Sequence, residues 1–278
     1  MSAAPRRSAP ARAETRVPLS VCVLACNEAE QLERCLDSVA WADEIVVVVD
    51  EKSRDESEAI ARRLAAHVER RPYAGDVDQK RYCTSLAKYD WVFVLDPDEV
   101  VSPRLADSIR ARLRAEARGP EGGAAPVGYR VNRATHHLGR WIRHGDFYPD
   151  WKLRLYRRSR ATWVGRDPHG RVEVEGPLGS LEGELLHYSY RDLADQIERI
   201  QLFSSQAADA LWRDGVPFRL RDLVWRPPAR FLRSYALRGG FRDGVPGFVI
   251  AVASAFYVFL KYAKRWERGR SAAGTPRA

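Results

Sequence analysis

The chain has 278 residues, of which 45% are hydrophobic and 30% charged, so it suits one large globular α/β domain with extensions or two small domains. Its net charge of +9 points to an acidic substrate, a membrane surface or a nucleic acid, and no recognised nucleic-acid motif accompanies the charge. The four cysteines contain no Cys-x-x-Cys pair, which argues against zinc and favours reduced thiols in the core, with Cys26 at the end of an apolar strand.

The first 17 residues are rich in Ala, Pro and Arg and have no apolar centre. A secretory signal needs an apolar segment of roughly 7–15 residues after its positive charges, and none follows here. We therefore interpret residues 1–17 as a disordered basic arm and expect the chain to stay in the cytosol.

Strands and helices are predicted to alternate along the first half of the chain. Apolar runs rich in β-branched residues predict strands at residues 19–25, 45–49, 67–70 and 91–95. Stretches with the apolar spacing of a helix lie between them. This alternation predicts βαβ units and a mostly parallel, Rossmann-like sheet of the α/β class.

The next signals mark a domain boundary. Ser102 before Pro103 predicts the start of a helix that runs to about residue 118. The Gly/Pro/Ala-rich loop that follows predicts a division between residues 18–126 and residues 127–213. In the second half we predict strands at residues 127–133, 172–175 and 185–190, a basic aromatic segment at 138–158, and an amphipathic helix at 193–212.

Residues 214–278 combine apolar and basic segments. Residues 248–260 are almost wholly apolar, but this run is shorter than the ~20 residues of a spanning helix. Lys261, Lys264 and Arg265 follow it directly. We predict an amphipathic helical tail that lies on an anionic membrane surface, and a core helix capped by a basic end is the alternative.

The apolar strand at 91–95 is followed by Asp96, Pro97, Asp98 and Glu99. Open α/β sheets bind ligands at the carboxyl ends of their strands, and Mg²⁺ is usually held by one or two carboxylates plus substrate phosphates. The pattern therefore indicates a site for a divalent cation and a phosphorylated ligand. A solvated acidic turn is the alternative, and it stays open for Glu99.

Several segments together resemble a known enzyme family. Residues 19–28, 42–50 and 91–99 are similar to family 2 glycosyltransferases, which have the GT-A fold. Residues 138–145, 148–155 and 186–190 are similar to the branch that contains bacterial lipopolysaccharide core β-1,4-glucosyltransferases. The resemblance covers roughly residues 18–265, and the second set of segments is the more specific one.

The resemblance implies a nucleotide-sugar donor and a divalent metal, Mg²⁺ or Mn²⁺. It implies that Asp98 binds the metal directly, that Asp96 contacts the ribose or a metal-bound water, and that His187 completes the metal site from a distance. The metal would offset the charge that grows on the diphosphate leaving group.

The resemblance also places the donor nucleotide. The residues implied to contact it are Asn27, Glu28, Asp50, Glu51, Gln79, Lys80 and Arg81, with Asp96 beside them. The turn at 51–55 departs from the Gly-Ser-Thr-Asp-Gly-like turn of the family, and this leaves the identity of the base open. Because all these contacts precede Glu99, we expect removal of residues 241–278 to spare nucleotide binding.

An inverting transferase needs a carboxylate to take the proton of the attacking hydroxyl group. The wider family has this Asp about fifty residues after the Asp-x-Asp motif, which matches Asp150, and Asp146 is the second candidate. Branch members often have His-Glu where this chain has His169 and Gly170, so a role of that glutamate is lost or has moved, to Asp167 or Glu173. Arginine forks suit anionic acceptor sugars; the acceptor side is expected to carry Arg140, Arg143, Lys152 and Arg154.

We therefore predict an inverting glycosyltransferase that moves a hexose, with glucose as the first candidate, from a UDP-sugar to a lipid-linked glycan such as the lipopolysaccharide inner core. It is expected to be cytoplasmic and peripheral on the inner face of the inner membrane, without a nucleic-acid partner. Two alternatives stay open: a degenerate GT-A-like module that binds glycan or membrane without turnover, and a related transferase with a different donor.

Overall fold

The computed structural model describes residues 16–119, 125–165 and 170–272. The predicted basic arm lies outside the described residues except for Arg16 and Val17. Arg16 forms an ion pair with Asp43 (2.5 Å), which joins the start of the described chain to the loop before the second strand.

The first half of the chain forms the predicted parallel sheet. Its strands stand in the order β3-β2-β1-β4, with Cys22 of β1 level with Val46 of β2 and Val94 of β4. The strands are β1 (Leu19–Ala25), β2 (Glu44–Asp50), β3 (His67–Arg71) and β4 (Trp91–Leu95), and the helices are α1 (Ala29–Asp37), α2 (Ser57–Leu64) and α3 (Asp76–Leu86). One core cluster joins α1 and α2 to one face of the sheet, and a second cluster with Cys83 of α3 covers the other face. Burial on both faces explains why β1, β2 and β4 are continuously apolar.

Antiparallel strands extend this sheet beyond β4. The strand order continues β4-β8-β6-β11-β5, where β6 and β11 are parallel and the other pairs are antiparallel. The added elements are β5 (Glu99–Val101), α4 (Pro103–Arg118), β6 (Gly128–His137), β7 (Arg140–Trp141), β8 (Asp150–Arg157) and β11 (Leu178–His187), with β9 (Ala161–Val164) and β10 (Arg171–Val174) as a separate ribbon. Ser102 caps α4 as predicted, since its side chain accepts the N–H of Leu105 (3.3 Å).

Four strands, β5, β7, β8 and β9, were not predicted, and β11 starts at a different residue. β8 was not predicted, because it is held by distant partners in β4 and β6 and its residues alternate only partly. β5 has three residues and follows a tight turn. β11 begins seven residues earlier than expected, because a bulge between Ser180 and Glu184 breaks its alternation.

The C-terminal helices pack against the second half of the domain. The helices are α5 (Leu193–Arg213), α6 (Leu220–Leu232) and α7 (Gly244–Ala272), with a π-helical turn at Arg233–Leu237 and a 3-10 turn at Gly240–Asp243. α7 packs on both α5 and α6. The buried carboxylate of Asp243 accepts the backbone N–H groups of Arg143 (3.0 Å) and His144 (2.8 Å). The tail is therefore joined to the segment at residues 127–213.

α7 is longer than the apolar run on which the prediction was based. Within the part of the chain that the structure describes, one helical stretch, Gly240–Arg270, is long and apolar enough to cross a membrane by length and composition. Only 22% of its apolar window is buried. The expectation that this segment is too short to span is therefore wrong on length.

Candidate active site

A cavity of about 830 Å³ opens at the carboxyl ends of β1 and β4. The sheet edge contributes Glu28, Lys80, Asp96 and Asp98 to its wall, and His187 comes from the end of β11. α5 closes the opposite side. Its lining residues are Arg199, Phe203, Gln206, Asp209, Trp212 and Arg213. A ligand in this cavity would therefore lie between the Asp-x-Asp motif and one face of α5.

Asp96 is held by two cations. Its carboxylate accepts from Arg154 Nη2 (2.6 Å) and pairs with Lys80 Nζ (3.1 Å). Burial would raise the pKa of Asp96, but the charges of Arg154 and Lys80 outweigh burial and hold this pKa well below its usual range. Asp96 is therefore ionised and already neutralised by the protein.

Glu99 is fully buried beneath the motif. Its carboxylate pairs with Arg154 (2.5 Å) and Arg133 (3.2 Å) and accepts the backbone N–H of Asp96 (3.0 Å). These bonds fix the turn that carries Asp96 and Asp98. The solvated acidic turn that the sequence left open for Glu99 is therefore wrong.

Asp98 lies beside His187, with 3.2 Å between Oδ2 and Nε2. The other ring nitrogen, Nδ1, lies 3.3 Å from the hydroxyl of Thr135, which orients the imidazole. Among the described residues no group of three or more His, Cys, Asp or Glu side chains is placed to hold a metal ion. A cation held by Asp98 and His187 would thus take its remaining ligands from diphosphate oxygens and water, and the pair fits Mg²⁺ or Mn²⁺ in that way.

Glu28 faces Asp98 across the cavity. Burial raises the pKa of Glu28 to about 7, the negative charge of Asp98 adds to the increase, and Arg199 opposes it. Without a cation, this carboxyl group therefore takes up a proton near neutral pH.

Asn27 joins two loops and does not line the cavity. Its backbone has φ 56°, its N–H donates to Ser53 (3.0 Å), and its side-chain oxygen accepts the N–H of Arg54 (2.9 Å). Asp50 is buried and accepts the N–H of Lys52 (2.9 Å) within its own turn. Glu51 is exposed and also lies outside the cavity lining.

The structure separates the three consecutive residues predicted to face the donor. Lys80 reaches the cavity, whereas Gln79 accepts from Arg71 of β3 (3.0 Å) and Arg81 donates to the carbonyl of Trp163 (3.2 Å). Arg81 lines a different cavity, of about 250 Å³. Successive helical residues point about 100° apart, so one helix face cannot present all three.

Neither proposed base lines the main cavity. Asp150 pairs with Arg133 (2.7 Å) and Lys152 (3.0 Å). Burial would raise the pKa of Asp150, but these two cations lower it. Asp146 is almost fully buried and pairs with Arg230 of α6 (2.9 Å) and with Arg238 after the π-helical turn (3.2 Å). Asp146 thus joins parts of the fold, whereas Asp150 is linked to the Asp-x-Asp turn through Arg133 and Glu99.

The basic residues expected on the acceptor side also lie outside this cavity. Arg154 is buried under the motif, Arg140 donates to the carbonyl of Asp243 (3.1 Å), and Arg143 pairs with Glu184. Lys152 pairs with Asp150. The physical reason is that β8 and β7 join the sheet, which leaves the cavity wall to α5.

Four other residues named from the sequence also lie away from the cavity or outside the described residues. Asp167 and His169 lie outside the described residues. Glu173 pairs with Arg171 on the separate ribbon, away from the cavity. Cys26 is an exposed free thiol just beyond β1, so the core position expected for it is wrong, whereas Cys22, Cys35 and Cys83 are buried and free.

Sequence reasoning missed the cavity face of α5. Arg199, Phe203, Gln206, Asp209 and Arg213 recur every three or four residues, which places them on one face. This mixed polar and aromatic stripe was the available signal.

A parallel sheet with an antiparallel extension, and an Asp-x-Asp turn at the edge of a large cavity, define a nucleotide-sugar transferase of the GT-A class. The chain belongs to glycosyl transferase family 2, whose sequence profile matches residues 20–172. It is 30% identical over 263 residues to a lipopolysaccharide core biosynthesis glycosyltransferase, LpsC, of Rhizobium meliloti (strain 1021), covering 91% of this chain and 93% of the relative.

Two further proteins agree with this assignment. An uncharacterised glycosyltransferase, RP128, of Rickettsia prowazekii (strain Madrid E) is 28% identical over 260 residues, covering 88% of this chain and 86% of that protein. The mannosyltransferase PcManGT from Pyrobaculum calidifontis, solved in complex with GDP-Man and Mn²⁺, superposes with a TM-score of 0.51 over 91% of this chain and 88% of its own. At 17% sequence identity this likeness shows the fold alone.

Proposed function

We propose that this glycosyltransferase is an inverting hexosyltransferase that moves glucose from UDP-glucose to a lipid-linked glycan such as the lipopolysaccharide inner core. The observation that carries the proposal is the cavity of about 830 Å³ in which Asp98 and His187 face α5. Ligand sites measure roughly 300–1,000 Å³, so this space suits a nucleotide sugar together with part of an acceptor.

The donor diphosphate is assigned to the edge of the sheet. Asp98 and His187 would hold a divalent cation, Mg²⁺ or Mn²⁺, which supplies positive charge to the leaving diphosphate. Lys80, with its ammonium group 3.1 Å from Asp96, adds a positive charge of the protein at the same edge of the cavity. Because the carboxylate of Asp96 also accepts a hydrogen bond from Arg154, we assign Asp96 to positioning Lys80 and contacting the ribose, and not to binding the metal directly.

The base is assigned to Asp150, with Glu28 as the competitor. Asp150 is ionised, fixed by Arg133 and Lys152, and linked through Arg133 to Glu99 below the motif. Asp150 does not line the cavity, so it would contact the acceptor hydroxyl group at the rim of the cavity. Glu28 does line the cavity, and its raised pKa near neutrality suits proton transfer.

The acceptor is assigned to the α5 side, where Arg199 and Arg213 can pair with anionic groups and Trp212 offers an aromatic surface. The likeness to LpsC supports a lipopolysaccharide core acceptor. The exposed apolar face of α6 and α7 and the arginines beside it support a position on the cytoplasmic face of an anionic membrane.

The test is nucleotide release from a panel of UDP- and GDP-sugars, with Mn²⁺, Mg²⁺ or EDTA, using inner-core lipopolysaccharide as acceptor. UDP-glucose with metal should give the fastest acceptor-dependent release. Asp150→Asn should lower kcat by about 10²–10⁴-fold with donor affinity unchanged. A loss of that size in Glu28→Gln, with Asp150→Asn close to wild type, would move the base to Glu28.

A further inference from the structure

A second cavity, of about 320 Å³, lies between α5 and α7 beside the active-site cavity. Phe203 lines both cavities and is therefore a wall that they share. Ligand sites measure roughly 300–1,000 Å³, so this space suits one small or slender ligand.

Two polar groups in this lining are already engaged. Gln196 bonds with His137 (2.9 Å), and Arg230 Nε pairs with Asp146 (2.9 Å). The rest of the wall is mainly aromatic and aliphatic: Phe147, Tyr190, Ile200, Phe203, Ala253 and Tyr257. A polar ligand would lose its hydrogen bonds to water and gain few here, whereas an apolar ligand would gain from burial.

The outward face of α7 indicates where such a ligand comes from. Val245, Phe248, Val252, Phe256 and Phe259 recur every three or four residues and are 43–75% exposed. An apolar stripe of this length is typical of a surface that contacts a membrane. The helices that line the second cavity thus also carry the face assigned to the membrane.

Charge at the rim favours an anionic lipid. The Arg230 side chain is 38% exposed while it lines the cavity, and Arg238 pairs with the same Asp146 carboxylate (3.2 Å), so two positive charges share one negative charge there. Arginine binds phosphate well, because its planar fork matches the phosphate oxygens.

We propose that the cavity between α5 and α7 binds one acyl chain of an anionic phospholipid, with the lipid phosphate beside Arg230. This inference rests on the membrane contact in the proposed function. An acyl chain in this cavity packs against the side of Phe203 that faces away from the active-site cavity. It thereby supports the turn of α5 that places Gln206 in the active-site cavity. Lipid binding and the shape of the acceptor wall are coupled in this way.

Photolabelling tests the inference with full-length protein on phosphatidylcholine vesicles that contain phosphatidylglycerol with a diazirine in its acyl chain. Peptide mapping should find label at residues 200–203 and 253–257. Ser254→Phe fills the cavity from α7 and should reduce this label at least tenfold. Val252→Phe is the matched control, because it adds the same ring to the outward stripe of the same helix and should leave the label unchanged.

Three outcomes would overturn the inference: label confined to the outward stripe, equal label in Ser254→Phe and wild type, or label displaced by an equimolar lipid-linked acceptor. The last would assign the cavity to the acceptor's own lipid. If Ser254→Phe does not fold, as judged by its thermal unfolding, Ala253→Leu replaces it.

Isothermal titration with UDP-glucose and vesicle co-sedimentation, on the same protein, separate this inference from the proposed function. Absence of nucleotide binding, with cavity label present, would contradict only the proposed function. Nucleotide binding and co-sedimentation without cavity label would contradict only the lipid inference. If the protein does not sediment with vesicles, a soluble diazirine probe replaces the labelled lipid. Whether dihexanoyl phosphatidylglycerol, below its micelle concentration, protects the cavity residues from this probe then decides whether the cavity binds lipid.

Discussion

Replacing Arg154 by Met should destabilise the protein strongly, because Arg154 bridges two carboxylates beneath the active site. Its guanidinium lies 2.6 Å from Asp96 and 2.5 Å from Glu99, and the side chains of Arg154 and Glu99 are 8% and 0% exposed. Removing one partner of a buried ion pair costs roughly 3–5 kcal/mol. Lys80 and Arg133 still pair with the same carboxylates, so we expect the lower end, about 3 kcal/mol.

Urea unfolding followed by tryptophan fluorescence measures this loss. With a slope of roughly 2–3 kcal/mol per molar urea for a chain of this size, the midpoint should fall by about 1–1.5 M. Arg157→Met is the matched control on the same strand. Arg157 pairs with Asp90 and Glu116, but its side chain is 33% exposed, so it should lose less than about 1 kcal/mol.

The acid dependence gives a second readout. Arg154 and Lys80 hold the pKa of Asp96 well below its usual range, so the stability they add is present above the usual pKa and is lost as pH falls through the folded value. Arg154→Met should flatten that dependence. If Arg154→Met loses no more than Arg157→Met and keeps the wild-type acid dependence, the buried bridge does not hold the motif.

Three further predictions concern the cavity and the tail. Asp98→Asn should abolish metal-dependent sugar transfer with little change in the free energy of unfolding. Asp107→Asn is the control at an exposed position and should keep the wild-type transfer rate. Wild-type activity in Asp98→Asn would exclude Asp98 as a metal ligand. The pKa of Glu28 rises from 4.5 to about 7 on folding, so the stability that its protonated form gives the fold is full below the unfolded pKa and is lost as pH rises through the folded pKa. In EDTA, the free energy of unfolding of Glu28→Gln should therefore increase relative to wild type by on the order of 1–2 kcal/mol between pH 5 and pH 8. A difference that does not change with pH would contradict this. Deleting residues 241–278 removes the packing of α7 on α5 and the hydrogen bonds of Asp243, so cooperative thermal unfolding and UDP-glucose binding should both be lost. Wild-type affinity for UDP-glucose in the truncated chain would instead support the first expectation, that the tail is not needed for nucleotide binding.

The sequence by itself was enough to predict the parallel half of the fold. β1 and β4 were predicted to the residue, and the start of α4 at Pro103 followed from its cap. These elements are determined by local signals: apolar runs buried on both faces, and residues that satisfy free N–H groups at a helix start. The Asp-x-Asp motif followed from the same logic, because parallel strands deliver their carboxyl ends to one edge.

Only the tertiary structure decided which charges face the ligand. A sequence shows that Arg154 and Lys80 are basic, but burial places Arg154 under Asp96 while Lys80 remains in the cavity wall. The strand β8 also depends on tertiary structure, because it forms by pairing with β4 on one side and β6 on the other, which are distant in the sequence. The cavity face of α5 likewise depends on how α7 packs behind it, since helix periodicity identifies a face but not what the face contacts.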